Sequence, residues 1–413
     1  MGATIVVTIE VAFDGSTFVD ISDNVTRASI SYGRARLLDE FSSGGARISY
    51  SNRDNSLTPG HSDSTYGNTQ LIGREVRISS SVTGGTDSYP TYLFRGQITD
   101  LDYQAEFDTS TVTITVTDGF DRLGKAQIFE ETFSEQDCGA RVSAVLDLSS
   151  VNYPSGSSPL DRSIATGSTT TPAVGAGSEI TDTAIDYIQQ LTRTENGRFL
   201  INHAGTPSAT NFGGILSWYS QNTGTDDRGI SFSDAKSLGS GSVQMTALSL
   251  EFGSELLFNA YQFTDATGTV KTGSDSASVT KYGERVVKRT LLADGTSTNN
   301  AGIYFIGLYS EPALRISSVT TDVDAMTTAD AEKCLHFNVM SSATLSYLPP
   351  GSSTTLTGEY LVEGVAYDIT VRDMATNSAR IKATYSTSAA DMTGYWILGD
   401  PVLGVLPTVL APG

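Results

Sequence analysis

The residue types that most often perform chemistry in proteins are present in this sequence, but their spacing matches no site pattern. The histidines His61, His203 and His336 have no second histidine or cysteine at the spacing of zinc ligands. Neither the G-x-S-x-G turn of a serine nucleophile nor the H-E-x-x-H helix of a zinc hydrolase occurs. The sequence therefore predicts no catalytic residues, no metal site and no cofactor site.

Acidic residues are so numerous that no single pair of them is informative. Asp226-Asp227 and Asp322-Val323-Asp324 could approach a cation, but neither supplies the number of oxygen ligands found in a calcium loop. A glycosidase needs two carboxylates about 5–10 Å apart. With 46 acidic residues in the chain, such pairs arise by chance. We interpret these groups as solvated loop carboxylates.

A glycine-rich segment and two aromatic pairs are further candidates. The segment GAGSEI at residues 175–180 begins like a dinucleotide-binding loop, but Ile180 stands where that loop has its third glycine. We therefore interpret it as a loop before a helix. Trp218-Tyr219 and Tyr395-Trp396 could stack on sugars. Burial in a core or an interface is favoured, because aromatic side chains dominate such contacts.

The cysteines and a basic cluster complete the candidates. Cys138 and Cys334 are predicted to be buried free thiols, since free cysteine behaves as a small apolar residue. The sequence is also compatible with a disulfide between them. Arg34, Arg36 and Arg47 form a basic cluster in an acidic chain. They could form surface ion pairs or contact another subunit.

Composition favours short strands joined by turns. The 413 residues include 40 glycines, and only 17% are charged, against about 25% in typical domains. The net charge of −20 makes a nucleic-acid-binding face unexpected and disfavours anionic membranes. No apolar stretch approaches the ~18 residues of a membrane span. The first residues lack a signal peptide, and Val6 replaces the Ser or Thr of a myristoylation signal.

Alternating apolar residues predict strands throughout the first 125 residues. The first strand carries Ile5, Val7, Ile9, Val11 and Phe13 on one face. Further strands are predicted at Ala46–Ser51, around Val76 and Ile78, at Tyr92–Ile98 with a bulge at Gly96, and at Thr111–Thr117, which Asp118-Gly119 ends.

Between residues 134 and 200 the pattern changes to helices and loops. One helix is predicted from a Ser134 cap to Leu146, with an apolar side formed by Cys138, Val142, Val145 and Leu146. A second helix begins at Thr181 or Asp182 and ends at Asn196-Gly197. The Ser-, Gly- and Pro-rich segments between them predict surface loops. Arg198–His203 predicts a strand.

From Gly213 onward the sequence again predicts strands. They are expected at Ile215–Tyr219, Val243–Phe252, Leu256–Phe263, Arg285–Leu292 and Ala313–Thr320. A hairpin is predicted over Tyr360–Val371 with its turn at Glu363-Gly364, followed by a neighbouring strand at Arg380–Tyr385. A helix is predicted from about Ala329 to Phe337, while Ala301–Tyr309 fits either a helix or a strand.

An internal similarity links the two ends of the chain. Leu93–Ile98 precedes the strand Val112–Val116 by about the same interval as Leu361–Tyr367 precedes Ile381–Tyr385. Two β domains of related design would explain it, and so would chance, because strand–Gly–strand patterns are common.

Several short sequence motifs occur in the same order as in the minor tail proteins of long-tailed phages, so the chain resembles that family. The family is in turn similar to the baseplate-hub proteins of phage tails. The N-terminal phrases are Asp20-Ile21 with Val25, Ile30 and Gly33-Arg34; Asp39-Glu40-Phe41 with Gly45-Ala46-Arg47-Ile48; Asn52-Arg53-Asp54 with Pro59; Leu93–Ile98; and Ile114–Asp118. The C-terminal phrases are Val362–Ile369 and Leu398–Leu406. The resemblance spans most of the chain, although residues 205–250 match poorly.

This resemblance implies a mainly β fold with a small α/β insertion, containing two tail-tube-like β-barrel or sandwich domains plus accessory domains. The implied division is residues 1–130 for an N-terminal tube-like domain and 131–204 for a helical or mixed insertion. A β linker or accessory segment follows at 205–255. A C-terminal tube-like domain with a short helix follows at 256–413.

The function implied by the resemblance is structural. The chain would form a homotrimeric ring at the virion's tail tip and would be part of the DNA-ejection channel. Its partners would be the distal tail protein or tail tube, the tape-measure protein, and fibre or spike proteins. It would be assembled in the host cytoplasm and would not bind nucleic acid sequence-specifically. The alternatives are a hexameric distal tail protein and a receptor- or carbohydrate-binding tail module.

Overall fold

The computed structural model describes residues 2–36, 38–67, 69–87, 90–105, 110–156, 161–175, 182–203, 215–219, 226–234, 242–312, 315–351 and 353–389. Tyr395, Trp396, the Leu398–Leu406 phrase and residues 176–180 of the glycine-rich segment lie outside them. The chain is mainly β, as the sequence predicts.

The helices and strands follow one another along three parts of the chain. The first part contains β1 (Ile5–Val11), β2 (Val19–Asp20), β3 (Val25–Gly33), β4 (Ser42–Ser51), β5 (Glu75–Val82), β6 (Thr91–Ala105), β7 (Ser110–Thr117) and α1 (Phe120–Lys125). The middle part contains β8 (Gln136–Asp137), α2 (Cys138–Asp147), β9 (Arg162–Ile164), β10 (Thr170–Thr171), α3 (Ala184–Glu195), β11 (Arg198–Asn202) and β12 (Ile215–Tyr219). The last part contains β13 (Asp226–Ser233), β14 (Ser242–Gln244), β15 (Ala247–Glu251), β16 (Ala260–Thr264), β17 (Val270–Ser274), α4 (Ser276–Tyr282), β18 (Val286–Thr290), α5 (Gly295–Tyr309), β19 (Arg315–Asp322), α6 (Thr328–His336), β20 (Ser341–Tyr347), β21 (Leu356–Asp373) and β22 (Ser378–Ala389).

Eight antiparallel strands among the described residues close into a barrel. Their order is β21–β3–β4–β7–β6–β5–β1–β22, and β22 pairs back with β21. Alternate residues of each strand point inward; in β1 these are Ile5, Val7, Ile9 and Val11, all buried. Closure pairs both edges of every strand in the ring, which removes the free edges on which other chains could pair.

The barrel needs both ends of the chain. Six of its described strands come from residues 5–117, and β21 and β22 come from residues 356–389. The two similar segment pairs found in the sequence correspond to β6–β7 and to β21–β22, which are both antiparallel pairs of this barrel. The division of the chain at residues 130, 204 and 255 stays a prediction.

The sheet of the barrel continues beyond the ring through β21 and β22. The first residues of β21 pair with β20, whereas Gly364–Thr370 pair with β3 of the barrel. On the other side β22 pairs with β19, and β13, β14 and β15 extend the sheet at its two ends. Tyr385 lies in the shared core, packed against Phe232 and Phe337, and donates a 2.8 Å hydrogen bond to the Cys334 carbonyl.

The hairpin predicted over Tyr360–Val371 is wrong, because these residues belong to the single strand β21. Glu363 is the extra residue of a register shift between Val362 and Gly364. Gly364 serves close strand approach rather than a turn: a Cβ there would lie 2.6 Å from the Arg34 carbonyl oxygen. The neighbouring strand predicted at Arg380–Tyr385 is confirmed within β22.

Other local predictions also need correction. Gly96 is paired with Val76 rather than bulged, and a Cβ at Gly96 would overlap the Thr117 carbonyl oxygen. The helix expected from a Ser134 cap begins at Cys138, because Gln136 and Asp137 pair as a strand with β10. The strand expected over 243–252 is interrupted between β14 and β15, where the chain passes from β13 to β19. The ambiguous 301–309 segment is helical, within α5.

A separate core forms where α2 and α3 pack with β11 and β12. Thr183 caps α3, and Asn196 ends it with φ 53°, a left-handed conformation that asparagine tolerates. Trp218 is fully buried in this core, and its indole N–H donates to the Thr192 hydroxyl at 3.0 Å.

A third, smaller core lies between α5 and the sheet β17–β16–β18. Tyr261 and Phe263 of β16 pack against Phe305 and Tyr309 of α5. Gly302 lets the helix approach the sheet, because a Cβ there would overlap the Tyr261 ring. Asp294 caps this helix by accepting hydrogen bonds from Thr296 N and Ser297 N.

Two helix glycines give a prediction with a built-in control. A Cβ at Gly139 of α2 would overlap the Ala165 carbonyl oxygen, whereas nothing lies within 4 Å of one at exposed Gly124 of α1. We expect Gly139→Ala to lower the free energy of unfolding by about 1–3 kcal/mol. Gly124→Ala should raise it by up to about 1 kcal/mol, since alanine favours helix. Denaturant unfolding of both variants checks this, and equal effects would refute it.

Candidate functional site

A buried ion pair joins Arg34, the first residue after β3, to Glu363 at the register shift of β21. Both Nε and Nη2 of Arg34 lie 2.7 Å from Glu363 Oε2, and the Ser388 hydroxyl donates to Oε1 at 2.5 Å. The Glu363 side chain is fully buried and that of Arg34 is 10% exposed. The extra residue in the strand thus turns a carboxylate into the interior, where two nitrogens of Arg34 contact one oxygen and the Ser388 hydroxyl donates to the other.

The surroundings of Glu363 favour its charged form. Burial would raise the pKa of Glu363, but the positive charges of Arg34 and Arg198 and the hydrogen bonds from Arg34 and Ser388 outweigh burial and hold this pKa below its usual value. The carboxylate is therefore ionised at neutral pH, and the pair is a fixed charged link rather than a proton switch.

Residues 34–41, between β3 and β4, extend from this ion pair to both smaller cores. The Arg34 guanidinium lies over the Phe41 ring, 4.6 Å from its centroid. Glu40 pairs with Arg193 of α3 at 3.0 Å. Arg36 pairs with Glu255, just before β16, at 2.5 Å. This segment, which we call the bridging loop, therefore holds the barrel, the α2–α3 core and the α5 core together.

A large cleft opens beside the bridging loop. Its volume is about 1230 Å³, and it lies between the C-terminal half of α3, the bridging loop, β18 and α5. Phe258, Tyr304 and Leu308 are among its apolar lining residues, and its charged lining includes Arg193 and Arg289 together with Glu40. Its lining combines apolar and charged side chains, as is usual for binding sites.

The three arginines of the basic cluster, Arg34, Arg36 and Arg47, have different roles in the structure. Arg34 forms the buried pair with Glu363, and Arg36 forms an exposed pair with Glu255. Arg47 is exposed on the outer face of β4. The expectation of ion pairs is thus met for two of the three arginines, one of them buried rather than at the surface.

A serine, an aspartate and a histidine meet where β4 and β7 reach the α2–α3 core, but they do not form a catalytic triad. Asp118 accepts hydrogen bonds from Gly44 N, Ser43 Oγ and Phe120 N at 2.8–3.0 Å. His203 Nε2 lies 3.8 Å from Asp118 and has no hydrogen-bond partner among the described residues. A triad places histidine between aspartate and serine, whereas here Asp118 is the central group.

Burial favours the uncharged forms of Asp118 and His203. Desolvation raises the pKa of Asp118 to about 7. Desolvation, with the charge of Arg95, lowers the pKa of His203 to about 3, so this histidine is uncharged at neutral pH. The cluster is best explained as packing, since Tyr32 and Phe94 cover the His203 ring at 4.5 and 4.6 Å.

His61, His336 and the two cysteines lie in separate local environments. His336 Nε2 is 2.5 Å from Asp87, and His61 Nδ1 accepts from Asp63 N at 3.2 Å. Cys138 and Cys334 are buried free thiols in two different cores, as predicted. Burial raises the pKa of the Cys334 thiol to about 12 and that of Cys138 further still, so neither is a thiolate at neutral pH.

The acidic and aromatic candidates are likewise accounted for where the structure describes them. Asp322 and Asp324 pair with Arg380 and Arg372 at 3.4 and 2.9 Å, rather than facing each other as cation ligands. The side chains of Asp226 and Asp227 are not among the described ones. Trp218 is a core residue, as predicted.

Within the described ranges, no group of three or more His, Cys, Asp or Glu side chains is arranged to hold a metal ion. In the same part of the chain, no helix is both long and apolar enough to cross a membrane.

Solved structures of tail proteins share this fold. The tail protein from Neisseria meningitidis MC58 matches with a TM-score of 0.58 over 94% of this chain and 98% of its own, at 8% identity. The 43 kDa tail protein of prophage MuSo2 from Shewanella oneidensis gives 0.56 over 94% and 99%, at 12% identity. A chain of a Francisella PdpA–VgrG complex gives 0.51 over 94% of this chain and 53% of its own, at 8% identity.

These matches place the chain among proteins with the fold of phage tail proteins. At such low identity the similarity concerns the fold and not the individual residues. No protein-family model and no curated protein sequence matches this chain.

Proposed function

We propose that this protein is a structural component of a phage tail, located at the tail tip as a baseplate hub. The observation that supports the proposal best is the fold itself, which matches two tail proteins over at least 94% of this chain and 98% of theirs. The closed barrel and the buried Arg34–Glu363 link suit a rigid mechanical part. The Ser43–Asp118–His203 cluster offers no activated nucleophile, which supports a non-enzymatic role.

The proposed assembly is a ring of three copies that surrounds the path of the genome. Its partners would be further copies of itself, the distal tail protein or tail tube, the tape-measure protein and a fibre or spike. The charge of −20 per copy supports a channel wall richer in Asp and Glu than in Lys and Arg, which would repel DNA weakly and let it slide.

The stoichiometry of the isolated assembly tests this proposal. We expect intact tail tips analysed by native mass spectrometry to contain three copies of this chain for every six copies of the tail-tube subunit. Six copies per ring would favour a distal tail protein. Specific glycan binding by the isolated chain, with no ring, would favour a receptor- or carbohydrate-binding module.

A further inference from the structure

The strand β18 is paired on one side only. It runs parallel to β16 from Val286 to Thr290, in a small sheet whose order is β17–β16–β18. No strand among the described residues pairs with its other side. An unpaired strand edge presents a row of N–H and C=O groups to which another strand can bond. The open edge of β18 is therefore a place where an extended chain can be added to the sheet.

Alternate residues of β18 supply the main-chain groups of this open edge. Arg285 O accepts a hydrogen bond from Ala260 N, and at the other end Leu291 N donates to Thr264 O. In a parallel pair the residues that bond a given neighbour recur at every second position. The odd-numbered residues therefore bond β16. The groups that point outward are those of Val286, Lys288 and Thr290.

The cleft beside the bridging loop follows this open edge. Val287, Lys288 and Arg289 all line the cleft. Successive side chains of a strand point to opposite faces, so a cavity lined by three residues in a row borders the edge of the sheet rather than one face. The bridging loop and α3 provide further lining. In contrast, the other edge strand, β17, contributes no described residue to the lining.

The dimensions of the cleft suit one added strand. The five residues of β18 extend for about 17 Å, and a strand bonded to them would lie about 4.8 Å away. The volume of about 1230 Å³ exceeds the ~300–1,000 Å³ that is usual for small-molecule sites. A short extended segment of protein is therefore a better fit to this space than a small molecule.

The side chains at the edge indicate which segment fits. The cleft as a whole carries both signs of charge, since Asp39 and Glu40 line it together with arginines. On the outer face of β18, however, the exposed charge is that of Lys288, with Val286 and Thr290 on either side. Opposite charges and β-branched side chains are favourable neighbours on adjacent strands. The fitting segment has an acidic residue beside Lys288 and β-branched residues two positions before and after it.

We propose that the open edge of β18 binds an extended segment of a partner protein, which adds to the small sheet as a fourth strand and occupies the cleft. Its main chain bonds the outward groups of Val286, Lys288 and Thr290, and its carboxylate contacts the Lys288 ammonium. The main-chain bonds supply affinity, and the side-chain neighbours supply selectivity. This binding role is independent of the number of copies in the particle.

A proline placed at the open edge tests the proposal. The probe is a fluorescein-labelled peptide of nine residues, in which valine alternates with serine and threonine around a central glutamate. Its fluorescence anisotropy is followed as full-length chain is added, and we expect a dissociation constant below about 1 mM. Lys288→Pro removes one outward N–H and leaves the bonds to β16 in place. It should weaken binding by about tenfold or more.

The other edge of the same sheet provides the matched control. Thr272 of β17 and Lys288 are both exposed, and both are paired with Gln262 of β16. Asp275 N bonds Asn259 O, and in an antiparallel pair such bonds recur at every second residue, so the Thr272 N–H also points outward. Thr272→Pro should leave binding unchanged, because β17 does not border the cleft.

Charge reversal separates the contribution of the Lys288 side chain from that of its main chain. Lys288→Ala keeps the outward N–H and should weaken binding less than Lys288→Pro does. Lys288→Glu should weaken binding of the glutamate peptide and strengthen binding of the same peptide with a central lysine. On strand addition, hydrogen exchange measured by mass spectrometry should slow in the segment that contains β18.

The proposal is wrong if the peptide does not bind below about 1 mM, or if Lys288→Pro and Thr272→Pro have the same effect. Circular dichroism establishes that each variant is folded. If Lys288→Pro fails to fold, Lys288→Glu with the two peptides decides by the same readout. Self-association of the native chain in analytical ultracentrifugation that Lys288→Pro abolishes would identify a second copy as the occupant and contradict the proposal.

Discussion

Replacing Glu363 with glutamine is expected to lower the free energy of unfolding by about 3–5 kcal/mol. The variant keeps the size of the side chain but leaves the charge of Arg34 buried without its partner, and removing one member of a buried ion pair costs about this much. Ser388 would also lose its charged acceptor. Chemical denaturation followed by circular dichroism measures the change.

An exposed ion pair between β3 and β21 is the matched control. Arg27 and Asp368 also join β3 to β21, at 2.8 Å, but their side chains are 60% and 46% exposed. Asp368→Asn should therefore change stability by less than about 1 kcal/mol. If the two variants were equally mild, burial of the Arg34–Glu363 pair would not be what makes it important for stability.

The effect of Glu363→Gln should depend on pH. Because the pKa of Glu363 is lowered by folding, its contribution to stability is present above the unfolded pKa of about 4.3 and is lost as pH falls through the folded value. The difference between the native protein and the variant should thus be full at pH 7 and shrink below about pH 4. A difference that is constant with pH would mean that the charge of Glu363 is not what stabilises the fold.

Replacing Trp218 with alanine should be comparably damaging, costing about 3–5 kcal/mol. The side chain is fully buried at the centre of the α2–α3 core, and its removal leaves a cavity and an unpaired Thr192 hydroxyl. Tyr219, the next residue of β12, is only half-buried on the other face of the strand. Tyr219→Ala should cost clearly less.

This pair of variants also addresses the alternative that Trp218 and Tyr219 stack on sugars. A core role predicts a lower unfolding midpoint for Trp218→Ala with no change in glycan binding. Loss of glycan binding without loss of stability would instead favour the carbohydrate-binding interpretation.

The elements that the sequence predicts best are those in which local pattern and tertiary packing agree. The alternation of Ile5, Val7, Ile9 and Val11 gives β1, and the Asn196-Gly197 signal gives the end of α3. Both depend on short-range chemistry, namely the two-residue period of a strand and the tolerance of asparagine for a left-handed conformation.

The features that escaped prediction depend on contacts between distant parts of the chain. Glu363-Gly364 has the composition of a turn, but both residues lie within the strand β21. Gly364 approaches β3 closely, and Glu363 contacts Arg34, which is 329 residues away in the sequence. The turn signal is local, whereas the ion pair is not. Helix α1 was missed because a turn after Asp118 looks the same in sequence whether or not a helix follows.

The candidate site was only partly visible in the sequence. Arg34 was noticed as a member of a basic cluster, but its partner Glu363 was assigned to a turn. The cleft could not be predicted, because its walls come from the bridging loop, α3, β18 and α5, which are separated by more than 200 residues. Ala301–Tyr309, which in sequence fits either a helix or a strand, contributes to one wall as part of α5.

The most direct test of the proposed function is the symmetry of this chain in a three-dimensional reconstruction of intact particles. The proposal predicts that the barrel described here fits density at the tip of the tail in three copies around the central channel, with Asp and Glu more frequent than Lys and Arg on the channel wall. Six equivalent copies, or density for this chain away from the tail tip, would contradict it.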